Sequence, residues 1–128
     1  MAEIKVENVD ALGKPLGQYS HMTRVKGASE TLYIAGMIAP GEDFDTQCTG
    51  VFRQIETALK AAGAGWGNVA QLTTYLVHSQ DIAKFMAWRL REFPRMFADG
   101  KYPPNTLLII DRLVQEQFLI EVQTIAAI

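Results

Sequence analysis

Tyr102-Pro103-Pro104-Asn105-Thr106-Leu107-Leu108-Ile109-Ile110 and Phe118-Leu119-Ile120-Glu121-Val122-Gln123-Thr124-Ile125-Ala126 are the two stretches that decide the fold. Each is a short run rich in β-branched and other apolar residues. The first is led in by two prolines, and both read as strands. Their apolar character does not alternate cleanly, so cover is expected on both faces. Glu121 then places a carboxylate inside a buried strand. An unpaired charge there is costly unless it is partnered, so Glu121 requires a role.

Upstream the period changes from that of a strand to that of a helix. From Asp45 the apolar residues Val51, Ile55, Ala58, Leu59 and Ala62 fall on one helical stripe, and Gly63 follows as a C-cap. Val69 to Val77 reads as a strand. A second helix starts after Ser79, a candidate N-cap with Asp81 in the first turn. It carries Ile82, Phe85, Met86, Leu90 and Phe93 on one side, and Pro94 is expected to end or kink it near Phe93. Trp88 and its neighbours are read as packing residues and not as a stacking box for a cofactor. Before the first helix, Ile4 and Val6, the stretch from Tyr19 to Val25, and Thr31 to Ala35 read as strands bounded by glycines. Gly63-Ala64-Gly65-Trp66-Gly67 follows a helix and opens a strand without a lysine, so it is a helix stop and turn and not a phosphate loop.

This order predicts an α+β domain with a mixed, mostly antiparallel sheet and two helices on one face, a single domain over residues 1–128. The strand at Thr106–Ile110 and the last strand offer more apolar surface than two helices cover, so self-association is expected. A length of 128 residues with 48% hydrophobic content supports one core. The net charge of -2, with lysines and arginines dispersed, gives no footprint for nucleic acid or an anionic membrane. The N-terminus has no signal-peptide core and no segment approaches spanning length, so a cytoplasmic protein without a membrane partner is expected. Cys48 is the sole cysteine, which excludes an internal disulfide, and it reads as a structural residue. His21 and His78 lack ligand spacing, and no metal or other cofactor is expected.

Several segments together resemble the Rid/YjgF family, the reactive intermediate deaminases. Pro103-Pro104-Asn105-Thr106 is similar to the family's Pro-x-Arg-Ser/Thr, and Ile120-Glu121-Val122-Gln123-Thr124-Ile125-Ala126 to its closing strand. Gly17-Gln18-Tyr19-Ser20 resembles its Gly-Pro-Tyr-Ser, and Leu32-Tyr33-Ile34-Ala35-Gly36 its strand ending in Ser-Gly-Gln. The helix, turn and strand from Gln47 to Val77 match in order. The likeness covers nearly the whole chain.

The resemblance implies a chorismate mutase-like fold and a homotrimer around a central barrel, with small-molecule clefts between subunits. It implies hydrolysis of an imine or enamine. Carried over, Glu121 positions or deprotonates the water, while Tyr19, Met86, Asn105, Ala35, Gly36 and Leu107 line the substrate site. Departures stand at Ala35 and Met37, where the family has Ser and Gln, and at Met86 and Leu107. Asn105 replaces the arginine that holds the substrate carboxylate in a bidentate fork, which an amide does not copy. The expected substrate is therefore shifted from 2-imino acids toward a neutral or aminomuconate-like compound, and Arg112 reads as a surface residue. Structural readings stand beside these: an ion pair for Glu121, a turn cap for Asn105, and a packed aromatic ring for Tyr19. A noncatalytic ligand-binding trimer is the second function that fits, and RNA cleavage or translation inhibition fits least.

Overall fold

The computed structural model describes residues 2–128. A short antiparallel ribbon pairs β1 (Glu3–Glu7) with β2 (Met22–Lys26), with Ile4 opposite Val25. The main sheet has four strands: β3 (Thr31–Met37), β4 (Val69–Leu76), β5 (Asn105–Ile109) and β6 (Ile120–Ala127). Their spatial order is β3-β6-β4-β5. Helix α1 (Phe44–Ala61) follows β3, and α2 (Asp81–Met96) carries the chain from β4 across to β5, which runs parallel to it. The other pairings in the sheet are antiparallel. The expected α+β class, the mixed sheet and the two-helix layer are all present.

Local chemistry accounts for the ends of α1. The Asp43 carboxylate accepts the Thr46 N–H at 2.8 Å, which makes Asp43 the N-cap, and this hydrogen bond holds its pKa below the usual carboxylate range. At the other end Gly63 turns with φ 75, the left-handed conformation that stops a helix. Phe44, Gln47, Cys48, Val51, Phe52, Ile55 and Leu59 form the buried stripe of α1. Gln47 uses its whole amide. It donates to the carbonyls of Gly41 and Gln117 and accepts from the Leu119 N–H, which pins the chain leading into β6. The Gly63–Gly67 segment is a turn, as expected; Trp66 within it donates to Glu56 at 2.8 Å and lowers that carboxyl's pKa.

Helix α2 departs from expectation in three ways. Its N-cap is Gln80, with no side-chain cap, so Ser79 does not serve. The helix runs through Pro94 to Met96 because Phe93 and Phe97, on either side of the proline, are both anchored in the core. The buried stripe is Phe85, Trp88, Arg89 and Phe93, while Ile82 and Leu90 are exposed and Met86 is half-buried. Trp88 stacks on Phe52 at 4.7 Å and donates to Thr49, and Phe93 meets Phe97 edge-on at 5.0 Å. This aromatic cluster, between the helices, is what rotates the stripe toward Trp88 and confirms the packing reading of that residue.

Strand β6 has a clean period of two. Ile120, Val122, Thr124 and Ala126 are buried under the helices, while Glu121, Gln123 and Ile125 point to the opposite face. The expectation that this strand is covered on both faces is therefore corrected for the single chain: one face is open. Tyr33, 78% exposed, and the exposed Leu108 share that open face with Tyr75 and Ile125.

Candidate functional site

Glu121 sits on the open face between Tyr75 of β4, its direct neighbour, and β3. At this point β3 shifts register between Ile34 and Met37, a bulge that brings Gly36 beneath the carboxylate. A Cβ on Gly36 would lie 2.2 Å from Glu121 Oε2, so the carboxylate occupies the space that this glycine leaves open. Glu121 is half-buried, and among the described residues no cation or hydrogen-bond donor pairs with its carboxylate. The ion-pair reading of Glu121 finds no partner there. Ala35 lies in the same bulge, exposed.

Asn105 and Leu107 occupy the other face. Asn105 opens β5 beside Leu72, and its Oδ1 accepts the Thr74 hydroxyl at 2.8 Å, with Thr74 fully buried on the helix side. Leu107 pairs with Thr74 and is half-buried. Within one chain, Glu121 and Asn105 are thus separated by the thickness of the sheet. The candidate residues do not converge within the single chain.

Tyr19 and Met86 make a third locus. Tyr19 lies in the loop before β2 and not on a strand, because β2 begins at Met22. Its hydroxyl accepts the Leu16 N–H at 3.1 Å, and its own N–H bonds the Gly17 carbonyl, so it closes its loop on itself. That loop lies on α2: a Cβ on Gly17 would come within 2.7 Å of Met86 Cε. Beneath it is a group that sequence reasoning missed, the buried guanidinium of Arg89. Arg89 Nη2 contacts Met86 Sδ at 2.8 Å, and Nη1 reaches the Gln18 carbonyl only at 3.5 Å. Nε has no partner. The Phe85 ring lies 4.5 Å from the guanidinium carbon. Burial lowers the Arg89 pKa from the ordinary guanidinium value, and nearby Cys48 and Tyr19 offset this in part.

Cys48 itself is fully buried, with its thiol pKa driven up chiefly by burial and secondarily by Asp45. It is therefore an inert core residue, as read from the sequence. His21 accepts the Val9 N–H and ties down the N-terminal loop. Arg112 is exposed and bonds the carbonyls of Leu113 and Val114, which organises its own turn. Among the described residues no helix is long and apolar enough to cross a membrane.

A mixed sheet carrying two helices on one face, with chemistry-bearing residues at its bulge and at a loop on α2, defines a small α+β domain of the chorismate mutase-like class. The chain belongs to the Rid/YjgF family: the family model described as Endoribonuclease L-PSP matches residues 10–128. The RutC family protein PH0854 of Pyrococcus horikoshii is 31% identical over 121 residues, covering 88% of this chain and 89% of that protein. Among solved structures, the Rid family protein YyfB of Yersinia pestis superposes with a TM-score of 0.84 at 23% identity, covering 98% of both chains. TdcF of E. coli, solved with bound serine, gives 0.69 at 18% identity over 80% of this chain and 82% of its own. These two structures establish the likeness of fold.

Proposed function

We propose that this protein is a cytoplasmic homotrimer that hydrolyses a small imine or enamine to a carbonyl compound and ammonia, in a cleft between subunits. The observation that carries the reading is the Glu121 carboxylate, half-buried on the open face with no cation paired to it among the described residues and with room made for it by Gly36. A carboxylate so placed acts on water. It takes one proton as the water oxygen adds to the C=N carbon and returns it to nitrogen, giving a carbinolamine. It then takes the carbinolamine hydroxyl proton as the C=O forms and passes it to nitrogen, so that the C–N bond breaks and ammonia leaves. Because Glu121 and Asn105 occupy opposite faces of one sheet, only residues from two copies would meet in one cleft. The exposed apolar residues Tyr33 and Leu108 support association through the face that carries Glu121.

The substrate's charge is not held as in the family's deaminases, since Asn105 offers a neutral amide in place of the arginine fork, with its Oδ1 fixed by the Thr74 hydroxyl. That same observation favours a second reading, a trimer that binds a small ligand without turning it over. RNA cleavage has less support, given a net charge of -2 and a His21 engaged with backbone.

Ammonia release from imines generated in place by amino-acid and amine oxidases tests the proposal. Turnover is expected from the native chain and a loss of about 100-fold or more in Glu121→Gln. No turnover of any carboxylated or neutral imine, even in Asn105→Arg, would select the binding protein.

A further inference from the structure

Arg89 is 3% exposed, and among the described residues no carboxylate pairs with it. Its contacts are a thioether, an aromatic face and one carbonyl at the limit of hydrogen-bonding distance, and Nε donates to nothing. Neutral partners of this kind do not compensate a buried cation as a carboxylate does. A guanidinium offers a planar fork of donors suited to two carboxylate oxygens at once, and here much of that fork is unused.

We propose that Arg89 is the recognition group of a site for a small carboxylate, closed in this structure by the loop of residues 13–20. The loop opens when the ligand's carboxylate replaces the Gln18 carbonyl on the guanidinium. Three observations fit such a cover. Apart from Gly13, whose N–H bonds the preceding Asp10 carbonyl, the loop's own hydrogen bonds, Leu16 to the Tyr19 hydroxyl and Tyr19 to Gly17, are internal, and its described hydrogen bond to α2 is the long one from Arg89. Leu16 at its tip is 87% exposed, so little apolar burial holds the tip in place. Gly17 presents bare backbone to Met86 and Arg89, so the loop rests on the guanidinium without a side chain wedged between. The surroundings also select the ligand class. Phe85, Phe93 and Met86 form apolar walls around one positive charge, which suits a small organic monoanion better than a multiply charged phosphate.

This inference deepens the reading above by naming the charge of the ligand, and it rests on that reading only in requiring that the chain bind a small molecule. Titration calorimetry of the full chain with propanoate, pyruvate and the neutral propanamide tests it. The native chain is expected to bind both acids at least tenfold more tightly than the amide. Arg89→Met is expected to lose that preference while melting at the same temperature or higher, since it removes an uncompensated buried charge. Amide exchange in the native chain supplies a readout that does not depend on the variant folding: exchange at residues 14–19 should change with pyruvate and stay constant with propanamide. Equal affinity for acid and amide, loop exchange unmoved by pyruvate, or an acid preference that survives in Arg89→Met overturns the proposal. Arg89-dependent binding of acids without any ammonia release would sink the hydrolase reading alone. Ammonia release accompanied by equal affinity for acid and amide would sink this inference alone.

Discussion

The two faces of the four-stranded sheet are built from the same strands by alternate residues, yet they have different fates. On the helix side, Leu72, Leu76, Ile120, Val122 and Ala126 are buried to 2% exposure or less, beneath Ile55, Leu59 and the aromatic cluster of α2. On the other side Tyr33, Tyr75, Leu108 and Ile125 are exposed or half-buried around a single carboxylate, Glu121. The helix face holds the chain in its fold, and its apolar residues answer only to packing. The open face is free of that duty, so it is the face to which we assign association and chemistry in the proposed function. A one-residue slip of β6 would exchange the two sets, which is why its strict alternation matters more than its average hydrophobicity.

Substitutions that distinguish the faces should separate folding from assembly. Phe93→Ala on the helix side is expected to have the largest effect, about 3–5 kcal/mol of folding stability, because Phe93 is 1% exposed and touches Phe52, Trp88, Phe97 and Tyr102. Urea denaturation measures it, and a loss below about 1 kcal/mol would mean that the cluster is not what holds the helices together. On the open face, Leu108→Glu should leave circular dichroism unchanged. It should weaken self-association by about 2 kcal/mol or more, the size seen for central interface residues. Sedimentation velocity would then show a shift to the single-chain mass at concentrations where the native chain stays assembled. An unchanged mass would remove this face from the interface.

The sequence made the faces legible only in part. The run from Phe118 to Ala126 announced a strand, and the spacing of Val51, Ile55 and Leu59 announced α1, because burial of a periodic apolar set is a local property of the chain. Glu121 stood out as a charge among apolar neighbours. What escaped was set by distant partners. The loop of Arg89's weak carbonyl contact lies 71 residues earlier in the chain, and a stripe drawn from apolar residues passes over an arginine and points Ile82 and Leu90 inward instead. Tyr19 looked like strand because its neighbours have strand composition, whereas its hydroxyl is spent on closing a loop. The separation of Asn105 from Glu121 follows from register, Leu72 beside Asn105 and Tyr75 beside Glu121, which no motif records.

The smallest expected effect probes the comparison where the open face is most specialised. Gly36 has no positive φ to justify a glycine, so the reason for it is space: an added Cβ would meet Glu121 Oε2, Cδ and Cγ at 2.2, 2.7 and 2.9 Å. All three atoms belong to a side chain with an open face to swing into. Gly36→Ala should therefore cost little stability, about 1 kcal/mol or less, while moving the carboxylate off the bulge. If crowding is the cause, the cost should vanish when the same substitution is made in a Glu121→Ala background, so the coupling in a double-mutant cycle equals the whole effect. Calorimetric melting of the four proteins reads that coupling without reference to turnover. An equal cost in both backgrounds would place the requirement for glycine in the backbone of β3 itself, and the bulge would then be a feature of the sheet and not a seat for Glu121.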